Sequence, residues 1–190
     1  MWGANMKNCP IKQVVSNLVT SDLVCPKLSE TIDERSLLAI IEYIKAAELA
    51  SGRFDNVDEV IRHYTHWACL DIAQALHAIY NTSDNQKVVD FSTAIATSGF
   101  ARLPTTHYVL AFGGQFYDIL GKHTQDELEN YCKREFCWQG AKHKILTEAD
   151  LAKYATPDSE NFDNPVVTYC ISQIKKHNPS LATNCDFNNN

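Results

Sequence analysis

The chain has 190 residues, 45% of them hydrophobic and 21% charged, with seven Gly and six Pro. A chain of this length makes about one domain and removes about 70% of its unfolded surface from water without staples, and so little Gly and Pro excludes collagen-like and low-complexity classes. Seventeen basic and twenty-three acidic residues leave a formal charge of −6 with no concentration of Lys and Arg, so no nucleic-acid partner is expected.

Residues 1 to about 30 are mixed and weakly periodic, and read as an arm laid over the domain. Thr31-Ile32-Asp33-Glu34 then carries a capping-box pattern, with Thr31 at the cap and Glu34 three residues on. Leu37, Leu38, Ile41, Ile44 and Leu49 recur behind it at helical spacing, and Gly52 marks a stop. A second helix is expected from Val57, striped by Val60, Ile61 and Tyr64. A third is expected from about Ala68 to Tyr80, with Ile72, Ala73, Leu76 and Ile79 facing the core. Residues 81–85 read as a loop, and Val88, Val89 and Phe91 as a strand.

The clearest β signal is residues 106–112 and 115–120, two aromatic and β-branched runs around Gly113-Gly114, a hairpin with a two-residue turn. Thr124 and Glu127 form another capping box, opening a helix through about Phe136. Further helices are expected after Thr147 and after Asn164-Pro165, and the end of the chain reads as frayed. The organisation is α+β, with helices packed on a small antiparallel sheet. Residues 1–55 are an arm and helix that complete the helical layer or cover a cleft, 56–180 the main domain and 181–190 a tail.

No run of about 18 apolar residues occurs, so neither a spanning helix nor a membrane partner is expected. The first residues lack the basic and long apolar regions of a secretory signal. Seven cysteines in an odd, irregular arrangement point to reduced thiols and a cytoplasmic location. Six of them read as small buried hydrophobes. Cys132 and Cys137 lack the companion CxxC of a zinc site.

Cys69 stands apart because it sits where the third helix should begin. There the positive end of the helix dipole and orphan backbone N–H groups favour a thiolate, and a neighbouring imidazolium reinforces the effect. The hairpin supplies that imidazole. If Gly113-Gly114 is the turn, Phe112 faces Gln115, Ala111 faces Phe116 and Leu110 faces Tyr117. His107, Val109, Ala111, Phe116, Asp118 and Leu120 then share one face. His107 and Asp118 become diagonal neighbours, about 7–8 Å apart at the backbone and within side-chain reach. A thiol nucleophile needs an imidazole to hold its proton, and the imidazole needs a carboxylate to fix its tautomer. On an apolar, covered face such a pair carries a desolvation cost that calls for a reason.

Cys69-Leu70-Asp71-Ile72-Ala73-Gln74-Ala75-Leu76, His107-Tyr108-Val109 and Gly114-Gln115-Phe116-Tyr117-Asp118 together resemble the papain-like superfamily, in its transglutaminase-like and NlpC/P60-like branches. The resemblance covers about residues 60–125. It implies a papain-like fold, with Cys69 as nucleophile, His107 as general base and acid and Asp118 as orienting group. The chemistry is read as acting on a protein or peptide substrate without a cofactor, and Trp67 and Tyr108, near the reacting residues in the chain, are read as substrate contacts. Two family features are missing: His63 stands where papain-like proteases place a Gln six residues before the cysteine, and no CGSCW flank occurs. The oxyanion donor is therefore read as the Cys69 backbone N–H.

Two other readings compete. His63, His66 and Cys69 carry donors suited to zinc at i, i+3 and i+6. On a continuous helix, however, the third lies about 120° off the face of the first, so a break near His66 is required. Alternatively, Trp2, Trp67, Trp138 and the tyrosines line a non-catalytic protein-binding surface. His77, His123, His143 and His177 read as surface or helix-face residues without a role.

Overall fold

The computed structural model describes residues 10–80, 86–93, 106–136, 141–145 and 164–182, with backbone alone at 86–93, 106, 136, 141–144 and 182. The chain runs through α1 (Ile11–Thr20), α2 (Glu34–Ala50), α3 (Val57–His66) and α4 (Cys69–Tyr80) before its first strand, β1 (Gln86–Thr93). There follow β2 (Thr106–Phe112), β3 (Gln115–Asp118), β4 (Gly121–His123), α5 (Gln125–Phe136), β5 (Ala141–Ile145), α6 (Pro165–His177) and α7 (Pro179–Ala182). The strands form one antiparallel sheet in the order β4-β3-β2-β1-β5. The architecture is α+β, helices first and sheet after.

Local chemistry explains most of the boundaries. Asp33, not Thr31, caps α2: its backbone is extended and its carboxylate accepts from Ser36 N at 2.7 Å. An Asp one turn before the apolar stripe outcompetes a Thr set two residues too early. Asn56 caps α3 by accepting from Glu59 N at 3.0 Å. At α5 the reciprocal box forms as read, with Thr124 N donating to Glu127 at 2.8 Å and Glu127 N to the Thr124 hydroxyl at 3.3 Å. Asn164 accepts from Val166 N at 3.1 Å and Pro165 takes the first position of α6, where a missing N–H costs nothing. Gly113 and Gly114 both have positive φ, 59° and 74°, the I′ geometry whose twist matches the strands it joins.

The main core lies between the helices and one face of the sheet. Leu37, Ile40, Ile41 and Ile44 of α2 are fully buried against Ile72 and Leu76 of α4, Leu110 of β2, Tyr117 of β3 and Ile174 of α6. Val14 and Leu18 of α1 join the same cluster. The weakly periodic beginning thus contains a packed helix, and no break in packing falls at residue 55. Leu181 of α7 is buried too, so the expected tail does not start at 181. The opposite sheet face carries a smaller cluster, Val109 with Leu128 and Cys132 of α5, flanked by Ala111, Phe116 and Tyr131.

The loop at 81–85, the helix expected after Thr147, Trp2, Trp138 and residues 183–190 lie outside the described residues. β4 and β5 were not legible as strands: three and five residues are too short for an alternation to stand out. Among the described residues no helix is long and apolar enough to cross a membrane.

Candidate active site

α3 and α4 meet at a sharp joint. Trp67 N and Ala68 N both donate to His63 O, at 2.9 and 3.2 Å, which tightens the end of α3 and lets a new helix start at Cys69. Cys69 therefore occupies the first turn of α4, where backbone N–H groups lack intrahelical acceptors and the dipole is positive. Its side chain is buried but for a residual 7% exposure. Trp67, two residues earlier, is 64% exposed, a large apolar surface beside the thiol.

The hairpin pairs Phe112 with Gln115, Ala111 with Phe116 and Leu110 with Tyr117, the register expected from the turn. His107 and Asp118 accordingly share the face covered by α5. Both are buried, and His107 Nε2 donates to Asp118 Oδ2 at 2.9 Å. With Nε2 given to the carboxylate, Nδ1 is the ring nitrogen left for the Cys69 thiol, which lies near enough to favour the imidazolium. Leu120, expected on this face, lies in the turn after β3 and packs at the edge of the main core instead.

Burial opposes the charged form of His107, but the hydrogen bonds to Asp118 and Cys69 outweigh it and push its pKa up to about 10. Burial likewise opposes ionisation of Asp118, and hydrogen bonds from His107 and His123 overcome it, holding the carboxyl well below the usual range. The pair is an imidazolium and a carboxylate inside the protein, with the imidazolium next to a thiol. Cys132, by contrast, is pushed up to about 12 by burial first, then by the nearby Asp118 and Cys69 charges. It is an inert core thiol.

His123 corrects the sequence reading. Its Nε2 lies 3.0 Å from Asp118 Oδ1, to which Leu120 N also donates at 2.7 Å. The signal was present in principle: the diagonal rule that joins His107 to Asp118 across one turn joins His123 to Asp118 across the next, once β4 is recognised. Tyr131 of α5 was also missed. Its ring centroid lies 6.3 Å from that of His107, and its hydroxyl hydrogen-bonds with Thr65 near the end of α3. α5 thereby covers the imidazole.

Two expected contacts are corrected. Tyr108 alternates to the other sheet face, partly buried against the main core, as its place next to His107 on a strand requires. The zinc set does not assemble. His63 is buried against Phe54 and Tyr64, with ring centroids at 5.3 and 5.0 Å, whereas exposed His66 uses Nδ1 on Thr65 and the Arg62 carbonyl. The break exists, but it falls after His66, and on α3 itself one imidazole is buried and the other exposed. Among the described residues no group of three His, Cys, Asp or Glu is gathered to hold a metal ion.

A second buried polar cluster joins α2, α3, α4 and α6. Glu48 accepts from Arg53 Nη1 at 2.9 and 3.2 Å and from the Tyr64 hydroxyl, and Arg53 Nη1 also donates to Asn164 Oδ1 at 3.1 Å. Asn164 Nδ2 hydrogen-bonds with Tyr64, and the Asp71 carboxyl hydrogen-bonds with Asn164. Burial raises Glu48 despite Arg53 and lifts Asp71 to about 7. Burial first, and then the Arg53 charge, lowers His63 to about 4.

Comparisons with protein-family models, curated proteins and solved structures return no match to this chain.

Proposed function

We propose that this chain is a thiol-dependent hydrolase or acyl transferase of papain-like type, acting on an amide or peptide-type bond through Cys69, His107 and Asp118. The observation that carries the reading is the buried, ionised His107–Asp118 pair set against a cysteine at a helix N-terminus. A fold does not need such a pair on an apolar sheet face, whereas thiol chemistry does.

Cys69 Sγ, as thiolate, attacks the acyl carbon and forms a C–S bond while the carbonyl π electrons move to oxygen. The oxyanion rests against the helix-start N–H groups, that of Cys69 first. Collapse of this intermediate breaks the C–N bond, and His107 passes its proton to the departing amine. The product is a thioester and a neutral imidazole. Water, or a second amine, then gives a proton to His107 as it attacks the thioester, and Cys69 leaves as thiolate beside the restored imidazolium. Asp118 keeps the ring in the tautomer that directs Nδ1 to sulfur. Exposed Trp67 is the apolar surface against which the acyl group lies. Peptidase, amidase, deamidase and transglutaminase-like outcomes share these steps and differ in which acceptor reaches the thioester.

The test is the alkylation rate of each cysteine by iodoacetamide between pH 4 and 9, read by peptide mass spectrometry, with His107→Ala alongside. Cys69 should react fastest below pH 7 and lose that advantage in His107→Ala. Cys69→Ala should abolish turnover of amide substrates while leaving the fold intact, because it removes one sulfur atom and sets a strong helix former in the first turn, at a cost of about 1 kcal/mol. Turnover retained in pure Cys69→Ala protein rules the mechanism out.

A further inference from the structure

Asp118 has two oxygens with different tasks. Oδ2 meets His107 Nε2 at 2.9 Å, whereas Oδ1 takes Leu120 N at 2.7 Å and His123 Nε2 at 3.0 Å. The torsion that swaps carboxylate oxygens is broad and soft in aspartate, so one hydrogen bond to His107 does not hold the plane of the group. β4 supplies the second hold. Its register sets His123 opposite Phe116, which places His123 on the Asp118 face and diagonal to it. Gly121, at φ 116°, permits the tight return that brings β4 there. Asp118 thus has one imidazole from β2 and one from β4, on opposite sides of β3.

We propose that His123 is a positioning residue of the site: it holds Oδ1 so that Oδ2 stays turned toward His107. The role rests on the reading of Cys69, His107 and Asp118 as catalytic. His123 is only partly buried and its Nε2 bonds Asp118 Oδ1, so its effect passes through the carboxylate. The other groups that face Asp118 are Tyr131 and Cys132 of α5, and Glu127 at the start of α5 and the Asp118 carboxylate are the charges that face His123. The two imidazoles and Leu120 N donate to the carboxylate, so removal of His123 leaves Oδ1 on Leu120 N alone and loosens the support that Oδ2 gives the His107 imidazolium beside Cys69.

The experiment uses the full chain and the Cys69 alkylation profile by iodoacetamide from pH 4 to 9 in wild type, His123→Ala and His123→Gln, with melting temperatures measured beside it. His123→Ala should move the acid limb of the profile up by about one pH unit, the size expected for one lost hydrogen bond to the charged form. His123→Gln, which keeps an N–H at similar reach, should recover most of that shift, and both variants should melt close to wild type. An Ala profile superimposable on wild type overturns the proposal and leaves Leu120 N as the sufficient hold. Equal shifts in Ala and Gln with a shared fall in melting temperature overturn it in favour of a packing role. A wild-type Cys69 no more reactive than Cys25 removes the catalytic reading, and this role with it.

Discussion

The His107–Asp118–His123 cluster and the Glu48–Arg53–Tyr64–Asn164–Asp71 cluster are both withdrawn from water, yet burial has driven their charges in opposite directions. In the first, one carboxylate meets two imidazoles, and the pairing overcomes desolvation: His107 is held as a cation and Asp118 as an anion. In the second, two carboxylates share one guanidinium, desolvation prevails, and both carboxyls are raised toward the neutral form. The ratio of acids to bases, rather than depth, decides the outcome. A cluster kept ionised beside a thiol is equipped to move protons. A cluster whose carboxyls burial disfavours as anions, and whose members are tied by hydrogen bonds across four helices, is a joint between helices.

The sharpest way to break this comparison is to remove the hub of the second cluster. Glu48→Leu leaves the Arg53 guanidinium, the Tyr64 hydroxyl and the Asn164 amide without their shared acceptor, and should cost about 3–5 kcal/mol of unfolding free energy. Glu48→Gln, which keeps an acceptor oxygen for these donors and removes a charge that burial disfavours, should cost about 1 kcal/mol. Denaturant titration separates the two. In Glu48→Gln the Cys69 alkylation profile should match wild type; a collapse of thiol reactivity there would show that the clusters act as one site.

Asp118→Asn tests the other side with a smaller effect. It removes the charge that supports the imidazolium while keeping the shape, and should lower Cys69 alkylation at pH 6 by about ten- to a hundredfold, one to two pKa units of lost support. The same variant carries a stability signature. His107 binds its proton more tightly folded than unfolded, where imidazole titrates near 6.5. Its stabilising contribution is whole below about pH 6.5 and lost as pH rises through about 10. Asp118 has the opposite sign, contributing above about pH 4 and losing its contribution only in stronger acid. Wild type should therefore exceed Asp118→Asn most between pH 4 and 6.5, and the gap should narrow toward pH 10.

Between pH 4 and 7 the second cluster contributes smaller, opposed terms. Asp71 takes up its proton more readily in the folded state, so stability falls as pH rises from about 4 to 7, and Glu48, also raised by burial, has the same sign. His63 resists its proton when folded, so stability falls as pH drops from about 6.5 to 4. Asp71→Asn removes one of the falling terms, so stability should depend on pH more positively in the variant than in wild type across this interval, the two slopes differing by less than about 1.4 kcal/mol per unit, the limit for one proton.

What was legible in the sequence follows the same division. His107 and Asp118 are 11 residues apart and joined by a two-glycine turn, so turn type and strand period alone place them together. The helix starts at Asn56, Thr124 and Asn164 were equally local. Glu48 and Asn164 are 116 residues apart, and Tyr64 and Asn164 are 100 apart. Their meeting depends on how four helices cross, which no local period encodes. Nothing in the sequence marks Glu48 and Asp71 as buried, because an acidic residue carries no sign of burial until its partners are known. His123 fell between these cases, local in sequence but on a strand too short to recognise.

The dependence of the His107–Asp118 approach on one turn can itself be tested, with the smallest of these effects. A Cβ added at Gly113 or Gly114 would meet nothing within 4 Å, so only the positive φ limits what the turn accepts. Asn tolerates that conformation and is the preferred first residue of an I′ turn. Gly113→Asn should therefore leave the register intact and, by restricting the unfolded chain, stabilise the protein by about 0.5 kcal/mol. Val at the same position cannot relax into positive φ and should cost about 1–2 kcal/mol. With Asn, Cys69 reactivity should be unchanged across the whole pH range. A loss of both stability and reactivity with Asn would mean that the two strands are not aligned by this turn, and the diagonal approach of His107 to Asp118 would then need a cause in the covering helix α5 rather than in the hairpin.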